Sequence, residues 1–317
     1  SATMRTAGEE FAMALHLAGL SPRWDEGSAR VSGFEIVPLA LLGRPRIDVT
    51  LRVSGLFRDV FPGLAQLFEA GAEALSLRDE AAEDNPYAAR AARVFGPAPG
   101  QYGLGMGTAA DTFTDAARAE AGEAWLRASA WSIGTDGQST LNREGIEARV
   151  KAADAFVHPQ DLPETDVLMA ADYAAHEAGF AAAVARLGGQ APTLYHLDAT
   201  RPDTPRARTL TEEIARVVRA RAANPEWASG MMNHGYRGAA EIAATLDHMA
   251  AFAHLAQVVP PRLFDLYHEA TLGRDEVRAF LARENPAALA AMEDLFRRLR
   301  DAGLWLTRRN SIAAVLA

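Results

Sequence analysis

Apolar positions recur at helical spacing in several stretches of this chain and at period two in a few shorter ones. EEFAMALHLA (9–18) has the helical rhythm and stops at Gly19. Residues 31–39 have strand character, and RIDVTLRVS (46–54) alternates polar and apolar positions as a strand does. The pattern then predicts helices over 64–75, 108–129, 142–153, 167–187, 209–223, 238–255, 277–284 and 286–302. Asn85-Pro86 is a helix-start signal, because proline is tolerated in a first turn. Thr209 with Glu212 three residues on reads as a capping pair, and Gly303 as a terminator. Short strands are expected at 155–158 and 191–197. The pattern predicts a mixed α/β fold, short strands interleaved with many helices, and a helix-rich C-terminal third. Two lobes are expected: residues 1–140 as an N-terminal α/β lobe, and 141–317 as an α/β to helical lobe, with a cleft between them.

Composition narrows the chemistry. The 317 residues are 49% hydrophobic, enough for a sizeable core. A net charge of −9 gives a general nucleic-acid surface no electrostatic support. With no cysteine, disulfides, thiolate ligands, iron–sulfur sites and cysteine nucleophiles are excluded, and a cytoplasmic location is expected. No apolar run is long enough for a membrane span, and the first residues carry no secretory pattern. Lys151 is the sole lysine and follows no glycine-rich loop, so neither a P-loop nor a Schiff-base lysine is present.

The candidate chemistry concentrates in two segments. FVHPQDLPETDVLMAADYAAHEAGF and the following YHLDAT hold His158, His176 and His196 among carboxylates. Imidazole and carboxylate can ligate a divalent cation or accept protons near neutral pH. His158 leaves one predicted strand; His196 and Asp198 leave another, one residue apart. Asp172 and His176 are spaced i,i+4, which suits either cation chelation or a surface pair. Glu164 and Asp166 lie just ahead of a helix, as catalytic groups or as simple helix-start acids. The second segment, NPEWASGMMNHGYRGAAE, places His234 between glycines at a helix entrance. Tyr236 and Arg237 there are candidates for orienting substrate, and Glu241 either joins them or pairs with Arg237 one turn away. Arg46, Arg52 and Arg58 with Asp48 and Asp59 line a substrate cleft or form an internal ion-pair network. Tyr102 sits in the glycine- and proline-rich loop that starts at Gly96, which could cradle the edge of a large ligand.

Several segments taken together resemble the large-subunit family of cobaltochelatase and magnesium chelatase. They include GRPRIDVTLRVSGLFRDVFPG, DNPYAARAARVFGPAPGQYGLG, PETDVLMAADY, NPEWASGMMNHGYRGAAE and DAGLWLTRRNS, in the family's order from end to end. The resemblance implies a C-terminal portion of a longer subunit. It implies ATP-dependent insertion of Co²⁺ into hydrogenobyrinic acid a,c-diamide in aerobic cobalamin synthesis, or of Mg²⁺ into protoporphyrin IX in the other branch. ATP would be used by a separate AAA+ subunit working with an integrin-I-like partner. A tetrapyrrole-binding or docking module, inactive alone, is the reading of a different class. Catalytic roles are expected for His234 and Asp172, with support from the resemblance, and for Glu164 and Asp166 from their position; metal contacts are expected for His158, His176, His196 and Asp198 from residue type and spacing. Substrate contacts are expected for Arg46, Arg52, Arg58, Tyr102, Tyr236, Arg237 and Glu241. The chain departs from the family's acidic and glycine-rich run at Met169, Ala170, Ala171, Ala174, Glu177 and Ala178, and at Leu197 where a glycine is usual.

Overall fold

The computed structural model describes residues 2–27, 31–105, 112–201, 203–307 and 309. The fold is mixed α/β, with short strands among many helices and a C-terminal region built of helices. The chain divides into two compact units. One comprises the described residues of Ser1–Gly105 and Ala124–Ala152, the other those of Met106–Glu123 and Ala153–Ala317.

In the first unit β1 (Leu20–Trp24) and β2 (Val31–Ile36) form an antiparallel pair. Strands β3 (Leu51–Arg52), β4 (Val94–Gly96), β5 (Trp131–Ile133) and β6 (Ser139–Leu141) form a sheet in that order, with β3 and β4 parallel and the other pairs antiparallel. The helices Glu9–Ala18 and Pro62–Ser76 close a core of Phe11, Leu15, Phe57, Phe68, Leu75 and Val94. The expected strand over 46–54 is realised as a ladder only at Leu51–Arg52. Before it the backbone donates to scattered acceptors: Arg46 to the Asp84 carbonyl, Ile47 to the Leu17 carbonyl and Val49 to the Tyr87 hydroxyl. The alternation marks extended chain; a strand also needs a neighbour in register, and residues 46–50 have loops and side chains there instead.

The second unit is built on β7 (Ala155–Gln160), β8 (Thr193–Asp198) and β9 (Arg206–Thr209). β7 and β8 run parallel with Phe156 beside Leu194, His158 beside His196 and Gln160 beside Asp198. β9 lies antiparallel on the other side of β8. Alternation puts Phe156, His158 and Gln160 on the face shared with Leu194 and His196. The helical run packed on that face starts at Ala171, passes through a wide π-turn at Ala174–Ala178 and continues as Gly179–Arg186. Phe156 stacks on Phe180 at 4.5 Å and anchors this contact. The expected helix over 167–187 therefore begins later, because Asp166 caps a turn through the Leu168 amide first.

Thr209 and Glu212 form a reciprocal capping box at the start of Leu210–Val217, and a second π-turn, Val218–Ala222, follows. The expected helix over 108–129 is described as Asp115–Arg127; residues 108–111 lie outside the described set. Helices Pro225–Met231, Gly235–Leu255, Pro261–Ala270, Asp275–Glu284 and Pro286–Asp301 complete the unit. Three of them open on proline, whose missing N–H costs nothing in a first turn. Leu246, Phe252, Phe264, Phe280, Phe296 and Trp305 form their buried interior. Among the described residues no helix is long and apolar enough to cross a membrane.

Candidate functional site

The inward face of β7 and β8 meets the π-turn at one buried carboxylate. Glu177 Oε1 lies 2.8 Å from His196 Nδ1 and 3.1 Å from His158 Nδ1. His196 Nε2 lies 2.9 Å from Gln160 Oε1. The amide group of Gln160 donates through Nε2 to the carbonyls of Thr165 (2.6 Å) and Leu162 (3.2 Å). Tyr173 completes the cluster: its ring centroid is 5.4 Å from the rings of both His158 and His196, and His158 is at the same separation from His176.

Burial is graded across this group. The side chains of His196 and Glu177 are 0% and 1% exposed, whereas that of His158 is 24% exposed. Burial alone would raise the Glu177 pKa, but hydrogen bonds from His158 and His196 outweigh it and hold the carboxyl below its ordinary range. Burial pushes the Tyr173 phenol up, and the nearby Asp161, Glu177 and Asp166 add to that. Among the described residues Glu177 Oε2 is buried without a hydrogen-bond partner. The buried carboxylate with one oxygen unpartnered makes this cluster the candidate site.

The other expected residues lie in different surroundings. Asp198 turns to the Thr200 hydroxyl at 2.7 Å; burial raises its pKa, but the Thr200 hydrogen bonds and nearby Arg216 and Arg208 bring it below normal. Asp166 forms a two-point ion pair with Arg221, at 2.5 and 3.0 Å, and Arg221 lies over Trp227. Glu164 and Asp172 are exposed. His234 precedes the helix Gly235–Leu255 at an exposed position, and Tyr236, Arg237 and Glu241 are exposed beside it. Among the described residues no ion pair joins Arg237 to Glu241. Nor do three or more His, Asp or Glu side chains among them converge with the geometry to hold a metal ion.

In the first unit Arg46, expected to face substrate, is enclosed. Its guanidinium donates to both Glu80 oxygens and to the carbonyls of Ala18, Gly19 and Val37, so no donor is left for a ligand. Arg52 donates to the Ser129 hydroxyl and the Ala128 carbonyl; burial pushes its pKa down to about 10, and it stays charged at neutral pH. Arg58 is buried against the Pro97 and Ala98 carbonyls and pairs with Asp59, which also accepts from the exposed Tyr102 hydroxyl at 2.7 Å. Arg58 and then Tyr102 hold Asp59 below its ordinary range.

Sequence reasoning singles out His158 and His196 but not the two groups that join them. Gln160 is signalled by period-two alternation, two residues past His158 on the same face. Glu177 is signalled by its i,i+4 spacing from Tyr173.

The fold and site together define a mixed α/β protein whose central polar cluster is made of imidazole and carboxylate. Comparison with known proteins gives this class a family. A family model described as CobN/Magnesium Chelatase matches residues 1–312, and the chain belongs to that family. It is 41% identical over 339 residues to the aerobic cobaltochelatase subunit CobN of a Sinorhizobium species, covering 100% of this chain and 26% of that protein. It is 29% identical over 334 residues to a magnesium-chelatase subunit of Cereibacter sphaeroides, covering 99% of this chain and 28% of that protein. The catalytic subunit of cobaltochelatase from Mycobacterium tuberculosis superposes with a TM-score of 0.91 at 34% identity, over 99% of this chain and 28% of that one. The chain thus spans about a quarter of the length of the relatives it matches.

Proposed function

We infer that this chain is part of the large subunit of an ATP-dependent cobaltochelatase, which inserts Co²⁺ into hydrogenobyrinic acid a,c-diamide. The observation that carries the cobalt reading is the higher identity to the cobaltochelatase subunit, 41%, than to the magnesium-chelatase subunit, 29%, over nearly the same stretch. Chelation asks three things of the protein: delivery of a weakly held metal ion, acceptance of the macrocycle's N–H protons, and a surface that holds the macrocycle. The buried cluster of Glu177, His158, His196 and Gln160 supports the second. His234, Tyr236 and Arg237, exposed at one helix entrance, are groups that can meet the macrocycle's carboxylate and amide arms. In this reading ATP is used by a separate AAA+ subunit, acting with an integrin-I-like partner.

Binding of the two macrocycles, followed by fluorescence quenching, tests the reading. Hydrogenobyrinic acid a,c-diamide is expected to bind more tightly than protoporphyrin IX, and His234→Ala is expected to weaken it about tenfold. Preference for protoporphyrin IX would move the assignment to the magnesium branch. Binding of neither would favour a docking module that engages partner subunits.

A further inference from the structure

The hydrogen bonds around Glu177 determine where the protons of both histidines lie. The Thr165 and Leu162 carbonyls accept only from an NH₂ group, so the Gln160 amide oxygen faces His196. His196 Nε2 therefore carries a hydrogen. Its Nδ1 faces a carboxylate oxygen at 2.8 Å and carries one too. His196 thus bridges Glu177 and Gln160 through its two ring nitrogens and holds the buried carboxylate in place. His158 meets the same oxygen through Nδ1, at 3.1 Å, and so donates from that nitrogen. With Nδ1–H committed to Glu177, the other ring nitrogen, Nε2, is the one turned away from the carboxylate.

We propose that Glu177 is a positioning residue: it locks His158 in the Nδ1–H tautomer and makes Nε2 the open base of the site. Gln160 and His196 are its buried support. Free imidazole favours the opposite tautomer, so the arrangement needs a carboxylate fixed on the Nδ1 side. His158 is also the one imidazole of the pair with solvent exposure, which is where a lone pair can be used. The role in catalysis rests on the chelatase reading. When metal enters, a macrocycle N–H bond breaks, its electron pair goes to the metal, and its proton goes to Nε2. The imidazolium formed is stabilised by Glu177 on its far side.

The test is a long-range ¹H–¹⁵N correlation on the chain labelled with ¹⁵N-histidine, at one fixed pH, with His158→Gln used to assign the signal. The wild-type protein is expected to show His158 as the Nδ1–H tautomer and His196 protonated on both nitrogens. In Glu177→Gln, His158 should shift toward the Nε2–H form. An Nε2–H pattern in the wild type overturns the proposal without recourse to any variant, as does an unchanged His158 signal in Glu177→Gln. In the full-length subunit assembled with its partners, Glu177→Gln should lower kcat roughly 10- to 100-fold and leave KM for the macrocycle within about twofold. Loss confined to KM would assign Glu177 to binding and overturn the positioning role. If the wild-type assembly inserts no cobalt, the chelatase reading falls while the tautomer result still decides the lock.

Discussion

A single nitrogen with no partner can set the acid limit of a fold. His268 Nδ1 is buried without a hydrogen bond among the described residues, and its ring sits 5.1 Å from Phe296 and 5.9 Å from Trp305. Burial pushes its pKa below 6.5, as it does for His254. The unfolded chain then binds more protons than the folded one, so stability falls as pH drops below about 6.5. We expect Tm to decline between about pH 7 and 5, and to decline less steeply in His268→Phe. Equal slopes would remove His268 as a cause. Glu177 acts in a lower window: its depressed pKa gives stability that is complete above the ordinary carboxylate value and lost as pH falls below it. At this scale the sequence makes the histidines visible, since few side chains do their chemistry. It does not reveal Gln160 or Glu177 as site residues. An amide or a carboxylate becomes part of a site only through the partners that the fold assigns to it.

Helices are the most legible elements. Their ends carry local chemistry, such as the Thr209–Glu212 box and the Asn285 cap on the Ala288 amide, and local chemistry is written in adjacent residues. The strand expected over 46–54 shortens to Leu51–Arg52 for the complementary reason, because pairing depends on distant chain. Gly238 shows how tightly two elements can be joined. A Cβ there would lie 1.9 Å from the Met231 carbonyl oxygen, where the Pro225–Met231 helix hands over to Gly235–Leu255. Gly238→Ala is therefore expected to cost about 3 kcal/mol in urea denaturation and to disturb the exposed His234 segment. A loss below about 1 kcal/mol would show that the two helices can slide apart cheaply.

Across the whole molecule, the first compact unit is assembled from two separated stretches of chain. The helix Arg143–Ala152 belongs to it, and Arg149 binds Thr50 Oγ1 at 2.7 Å and Asp48 Oδ2 at 2.6 Å. A fragment ending at residue 140 loses those bonds, and one ending at 152 keeps them. The longer fragment is expected to melt several degrees higher by circular dichroism; equal melting temperatures would show that the helix adds nothing to that unit. Family membership was legible in the sequence because long ordered segments, not single motifs, carry it. The meeting of β7, β8 and the π-turn was not, since it joins residues 158, 177 and 196 through strand pairing and one irregular turn.

That wide turn at Ala174–Ala178 has a consequence for how the site tolerates changes in chain length. In a regular helix, inserting or deleting one residue rotates everything beyond it by about 100°. A π-turn has already absorbed an extra residue, and the helix on either side keeps its phase. A relative one residue shorter at this point can close the turn into an ordinary one and still aim a tyrosine and an acid at the same pair of imidazoles. The irregularity is thus a slack point in the chain, lying beside the carboxylate whose placement matters most.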